Sequence, residues 1–221
     1  GGREAPFENE DRILVESPRD VATYDLKPQM SAEEVTDKLI AAWNSGKYDF
    51  VVCNLANPDM VGHTGVLEAA IKACETVDAC VTRIEKAVMD RGGILCITAD
   101  HGNVEKMIDE EGRPQTAHTL NQTPFLILED GKTHAVKNGK LGDIMPTLLG
   151  LTGNREPYFA FGRDVLNEPE RPHWSVSYDG MFRAVTDGGV IAFDEERDAA
   201  STEPAGSQAD SLLSQFRALV Q

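Results

Sequence analysis

The sequence predicts an α/β fold: a mainly parallel sheet with helices on both faces, followed by a C-terminal antiparallel hairpin and a terminal helix. Three features of the 221 residues point that way. Short apolar runs rich in β-branched residues alternate with amphipathic helical stretches between Ser31 and Leu151, the order in which crossover helices join parallel strands. Two of these runs lead into polar loops carrying acidic residues and histidines, and open α/β sheets collect functional groups at such strand ends. Beyond Asn154 the pattern shifts to short alternating segments, the texture of antiparallel pairing.

The first helix opens at Ser31, where Ser31-Ala32-Glu33-Glu34 has the layout of a capping box. Val35, Leu39, Ile40 and Trp43 share one face, and Gly46 ends the run. Asp49 to Leu55 (DFVVCNL) reads as a strand covered on both faces, and Asn57 to Gly65 as a polar loop. From Thr64 a long helix is expected, because Leu67, Ala70, Ile71, Cys74, Val77, Val81, Ile84 and Val88 keep three-and-four spacing as far as Gly92-Gly93. Ile94 to Thr98 (ILCIT) and Pro124 to Leu128 (PFLIL) are further apolar strands. Asp143 to Leu151 reads as a helix with Pro146 in its first turn, where the missing amide hydrogen breaks no bond, closed by Gly153-Asn154. Trp174 to Tyr178 and Met181 to Thr186 read as short strands, and Asp187-Gly188-Gly189 as a turn into Val190 to Phe193. Ser201 to Ser207 is a polar linker, and Ala209 to Val220 sets Leu212, Leu213, Phe216, Leu219 and Val220 on one face of a terminal helix.

Acidic residues outnumber basic ones 37 to 21, a net charge of -16. Such a surface repels a phosphate backbone, so nucleic acid is not an expected partner. No run approaches the ~18 consecutive apolar residues of a spanning helix, and no basic-then-apolar leader is present, so a soluble, cytoplasmic chain is expected. Cys53, Cys74, Cys80 and Cys96 form no Cys-x-x-Cys pair and read as reduced core residues. The chain opens Gly1-Gly2-Arg3 without a methionine, as expected of a segment from a longer reading frame or of a trimmed chain.

Chemistry concentrates at three loops. Asp59 and His63 stand four apart after the first apolar run, near enough to meet one cation if the segment turns once. Asp100 and His101 end the ILCIT run, with Gly102 free to sharpen the turn, and His118 sits in Thr116-Ala117-His118-Thr119. Carboxylates and imidazoles without nearby thiolates suit manganese, zinc or iron and argue against a structural zinc knot. His134 and His173, isolated among polar residues, read as surface histidines.

The segments Glu10-Asp11-Arg12, Val21 to Ser31, Asn57 to Gly65, Thr98 to Asn103 and Ala117-His118-Thr119 resemble cofactor-independent phosphoglycerate mutase. The resemblance covers about residues 1–153 and looks like the C-terminal part of that family's alkaline-phosphatase-type domain. It implies an incomplete form of that fold in which Asp59, His63 and His118 hold one manganese ion. Asp100 and His101 would hold a second, beside a serine that is phosphorylated in turn. In the family that serine, another aspartate ligand and the substrate-gripping basic residues lie upstream of what corresponds to Gly1. The catalytic nucleophile is therefore expected to be absent, and a complementing N-terminal half becomes an expected partner. Thr64, Thr98, Thr116 and Thr119 flank the ligands without the context of a superfamily nucleophile and read as capping or ligand-orienting residues.

Residues 155–221 depart from the mutase pattern. Pro157 to Leu166 and Trp174 to Asp187 are similar to the tail of lipoteichoic-acid-synthase-type phosphoglycerol transferases, which implies a packing role without chemistry. Two parts are expected: 1–154, a partial metal-binding phosphatase-type domain, and 155–221, a C-terminal extension. Three functions stand open at this point. They are mutase-like interconversion of 2- and 3-phosphoglycerate in glycolysis, metal-dependent phosphohydrolase or phosphoglycerol transferase activity, and a catalytically silent metal-binding module.

Overall fold

The computed structural model describes residues 5–136, 141–154 and 162–167, together with four short strands between residues 175 and 203. It divides into two compact units, Gly1–Ala135 and Val136–Gln221. The division falls ahead of the boundary expected at Asn154.

In the first unit a 3₁₀ turn at Tyr24–Leu26 precedes α1 (Ala32–Asn44), α2 (Asn57–Gly62) and α3 (Leu67–Met89). Ser31 does precede α1, but its hydroxyl donates to the Glu16 carbonyl at 2.8 Å, so the capping box does not close. Trp43 ties α1 to α3 by donating its indole N–H to the Ala87 carbonyl at 3.2 Å. The expected polar loop from Asn57 is instead the helix α2, which Pro58 opens at a position where its missing amide hydrogen costs nothing. Asn57 is buried, and its side-chain amide donates to the carbonyls of Pro28 and Gln29 at 2.9 and 2.8 Å, fixing where α2 starts.

The buried face of α3 is Ala69, Ala70, Ala73, Cys80, Ile84 and Val88, rotated from the expected stripe, and Ile71 and Cys74 are exposed. Alanines let α2 approach closely, so Val61 inserts against Ala69, Ala70, Ala73 and Met107 to form a core cluster of this unit. Of the four cysteines, Cys80 is buried, Cys96 half-buried, and Cys53 and Cys74 exposed; all are free thiols. The core reading thus fails for Cys53 and Cys74.

The sheet of this unit joins β1 (Leu95–Thr98), β2 (Phe125–Glu129) and β3 (Lys132–Ala135) in that order, and every pairing is antiparallel. The class is α/β, but the expected parallel pairing does not occur among the described residues. The connection from β1 to β2 explains why. It is not a crossover helix but a loop folded back on itself through the Ile108–Pro114 bridge, and a strand returning from such a loop runs antiparallel. The β2–β3 hairpin turns on Asp130 and Gly131, both with positive φ (49° and 70°), the signature of an Asp-Gly hairpin turn. His134 lies exposed on β3, as expected. Ile127, at the centre of β2, is wholly buried. Ile127→Ala is expected to cost about 2–5 kcal/mol, read as a lower urea midpoint at unchanged slope.

The Asp49 to Leu55 run forms no strand, since no neighbour among the described residues offers it a ladder. Phe50 and Val52 are 54% and 79% exposed. No described helix is long and apolar enough to cross a membrane.

In the second unit a 3₁₀ turn at Leu141–Asp143 leads into α4 (Ile144–Leu151). Residues 162–167 fold back on it: the Arg163 amide donates to buried Asp143 at 2.9 Å, and the Val165 amide to the Thr147 hydroxyl at 3.1 Å. These bonds explain why α4 groups with the C-terminal segment rather than with the sheet before it. β4 (Ser175–Tyr178), β5 (Phe182–Thr186), β6 (Gly189–Asp194) and β7 (Ala199–Glu203) form an antiparallel meander, in which Thr186 pairs with Gly189 across the expected turn. The linker expected from Ser201 begins instead inside β7, which pairs with β6. Trp174, His173 and the helix expected over Ala209 to Val220 lie outside the described residues.

Candidate metal centre

Asp59 and His63 sit one turn apart, on α2 and at its C-cap, so their side chains emerge on one face. His118 reaches them from the β1–β2 loop, whose two limbs are joined where the Thr119 amide donates to the Gly102 carbonyl at 3.0 Å. Asp59 Oδ1 lies 3.1 Å from His63 Nε2 and 3.2 Å from His118 Nε2, and the two imidazole nitrogens lie 3.1 Å apart. Three donor atoms thus form a nearly equilateral triangle.

The triangle fits a single cation. Nitrogen and oxygen donors bound at ~2.0–2.2 Å to one ion stand about 3 Å from each other. The tautomer agrees as well. His63 Nδ1 faces the Thr116 carbonyl at 2.7 Å, and a carbonyl only accepts, so Nδ1 carries the proton and the Nε2 lone pair faces Asp59 and His118. Side-chain exposures of 34% for Asp59, 40% for His63 and 49% for His118 leave the cluster reachable from solvent.

His101 stacks on the His118 ring with centroids 3.7 Å apart and 20° between planes. Asp59, His101 and His118 also offer donors within 4.8 Å of one another. The grouping with His63 is tighter, as His101 Nδ1 stands 4.0 Å from Asp59 Oδ1. Asp100 is apart from the triangle: its carboxylate is 77% exposed and 3.6 Å from His101 Nε2. The five expected residues are therefore brought together as three in contact, His101 beside them and Asp100 at the rim.

Supporting groups surround the triangle. Asn103, buried, donates its side-chain amide to Asp59 Oδ1 at 2.7 Å and to the Asp59 carbonyl at 3.3 Å. Its Oδ1, packed where a side chain at Gly62 would collide, takes no hydrogen bond among the described residues. That cost goes with aiming the amide at Asp59. The Glu105 carboxylate accepts from the Thr119 hydroxyl, from the Asn103 backbone N–H at 2.6 Å and from Asn121 Nδ2 at 2.9 Å. These bonds, that from Thr119 foremost, hold the Glu105 carboxyl below the usual glutamate range. A side chain at Gly102 would strike both Thr119 and Glu105, so glycine is needed for the close approach.

Sequence reasoning assigned no role to Glu105 or Asn121. The one signal in the chain was Asn103-x-Glu105 after a strand end, a spacing at which the second side chain can close the turn on the first residue's amide. Three of the flanking threonine hydroxyls are engaged locally: Thr64 donates to the Val61 carbonyl at 2.6 Å, Thr98 to the Ala99 carbonyl at 3.4 Å, and Thr119 to Glu105.

Comparison with known proteins identifies the family. The family model described as the metalloenzyme superfamily matches residues 1–155. The chain is 62% identical over 153 residues to the 2,3-bisphosphoglycerate-independent phosphoglycerate mutase of Nitratidesulfovibrio vulgaris, a match covering 69% of this chain and 30% of that protein. It is 58% identical over 168 residues to the Lawsonia intracellularis enzyme of the same name, covering 76% and 33%. It thus spans about a third of the length of these relatives. The longer match covers too much of the chain to end at Asn154, so similarity to the mutases continues into the segment that folds back on α4. Among solved structures, Leishmania mexicana phosphoglycerate mutase at low cobalt concentration aligns with a TM-score of 0.60 at 32% identity, covering 67% of this chain and 30% of that one.

Proposed function

Because the chain belongs to the metalloenzyme superfamily, we propose that Asp59, His63 and His118 hold a divalent ion, manganese, in a phosphoglycerate mutase-type phosphoryl-transfer site. The observation that carries this reading is the 3.1–3.2 Å donor triangle, set in a stretch 62% identical to a phosphoglycerate mutase. His101, stacked on His118, and the rim carboxylate of Asp100 are the residues this chain would give to a second ion.

A bound pair of ions supplies neutralisation of phosphoryl oxygens and a lowered pKa for an attacking hydroxyl. The chain's own residues prepare for this in definite ways. The Thr116 carbonyl fixes the His63 tautomer, Asn103 orients the Asp59 carboxylate, and His101 braces the His118 ring. The exposed rim at Asp100 leaves the approach open to a phosphorylated small molecule. No serine of the described residues joins the cluster, and the hydroxyls of Thr64 and Thr119 have the local partners given above, so the nucleophile is proposed to come from outside this chain. The substrate in this reading is 2- and 3-phosphoglycerate of glycolysis, handled in the cytoplasm, with an N-terminal half as complementing partner and no part for nucleic acid or membrane. The strands after Asn154 are proposed as packing elements of transferase-tail type.

The test is mutase activity with manganese, for this chain alone and with the N-terminal two-thirds of a close relative added as a separate chain. Activity is expected only in the mixture. Turnover by the chain alone would refute the external nucleophile, and phosphate-ester hydrolysis without mutase activity would replace the mutase reading with a hydrolase.

A further inference from the structure

We propose that Glu105 is a positioning residue for the metal ligands, a clamp whose carboxylate joins the two limbs of the β1–β2 loop and so holds His118 opposite Asp59. The inference rests on the metal reading above and goes beyond it, because Glu105 touches none of the three triangle donors. Its effect on them is short and traceable. One oxygen accepts the Asn103 backbone N–H at 2.6 Å, and the side chain of that same Asn103 donates to Asp59 Oδ1 at 2.7 Å. The other oxygen accepts the Thr119 hydroxyl and Asn121 Nδ2, and Thr119 comes directly after His118 in the chain. One carboxylate therefore reaches His118 through one hydrogen bond and one peptide bond, and Asp59 through two hydrogen bonds that share Asn103.

Two further observations favour a clamp over a solvated surface glutamate. No lysine or arginine pairs with Glu105 among the described residues, so its three donors are all uncharged groups of the ligand-bearing loop. Gly102 lies where any side chain would push Thr119 and Glu105 away, so the backbone is shaped to let them meet. Groups that hydrogen-bond a metal ligand typically change the metal's affinity ~10–100-fold when removed, and Glu105, one bond further out, holds two routes at once: Asn103, which touches Asp59, and Thr119 beside His118.

The test is manganese affinity by titration calorimetry on the full chain, with far-UV circular dichroism confirming that each variant is folded at the titration temperature. Glu105→Ala is expected to weaken binding about 10–100-fold. Thr119→Val, which keeps the carboxylate and its charge but deletes one donor, is expected to weaken it about tenfold. The second variant also decides the matter should the first fail to fold. Affinity within twofold of the parent in folded Thr119→Val would overturn the clamp, even if Glu105→Ala lost affinity, because charge alone would then account for the loss. A merely structural role would lower the metal-free melting temperature and leave the affinity of the folded protein unchanged. If the parent chain binds no manganese, it is the metal reading that fails.

Discussion

Asp59→Asn is expected to abolish specific manganese binding, with a loss exceeding the ~10–100-fold typical of supporting hydrogen bonds. The reason is how much converges on one oxygen. Asp59 Oδ1 lies at the corner shared with both triangle histidines and also accepts the Asn103 amide at 2.7 Å. An amide in its place removes the only formal charge in the triangle. It also sets either an N–H donor or a neutral carbonyl against Asn103 and the two imidazoles. Asp100→Asn is the informative comparison, because that carboxylate is 77% exposed and outside the triangle; its effect on the first ion should be much smaller. Titration calorimetry on the two variants checks the ordering, and equal losses would mean that the triangle is not the principal site.

Manganese itself is expected to raise the melting temperature by about 5–10 °C at a free concentration a hundred times Kd. A ligand that binds only the folded state contributes ~2.7 kcal/mol at that excess, and for a chain of this size each kcal/mol moves the midpoint ~2–4 °C. The gain should appear in the transition of the Gly1–Ala135 unit, which holds the three ligands on α2 and the β1–β2 loop. A chelator should reverse it, and Asp59→Asn should show none of it. A scan by circular dichroism with and without metal reads all three, and an unchanged midpoint in the parent at saturating manganese would count against a site that couples to folding.

Much of this site was legible in the sequence because its ligands lie at strand and helix ends bounded by clear punctuation. Gly62, Gly65, Gly102 and the apolar ILCIT run mark where side chains must emerge, and α1, α3 and α4 follow from periodicity. What periodicity could not give was pairing. The runs at Ile94 and Pro124 look alike whether the chain returns through a helix or through a folded loop, and only the contacts of residues 99–119 decide for an antiparallel hairpin. The β3 hairpin was missed although Asp130-Gly131 announced it, because Lys132 to Ala135 is exposed along its length and carries no apolar signal. The face of α3 was misjudged for a related reason. Three alanines outweigh larger residues when a short helix must pack close, and hydrophobic spacing alone does not measure closeness. Glu105 and Asn121 escaped notice because the contacts that join the two limbs, Glu105 with Thr119 and Asn121, lie 14 and 16 residues apart in sequence and exist only once the loop has folded.

The uncovered run at Asp49 to Leu55 has a consequence for how the protein behaves in a tube. Phe50 and Val52 offer apolar surface, and the backbone beside them has no ladder among the described residues, which together make a template for sticking to other chains. Opposing this is a net charge of -16, which makes every encounter between copies repulsive over roughly one Debye length, ~10 Å at 0.1 M salt. Colloidal stability therefore hangs on ionic strength: dilute buffer keeps the molecules apart, and concentrated salt removes the barrier that protects an adhesive patch lying just ahead of Asp59 and His63 in the chain.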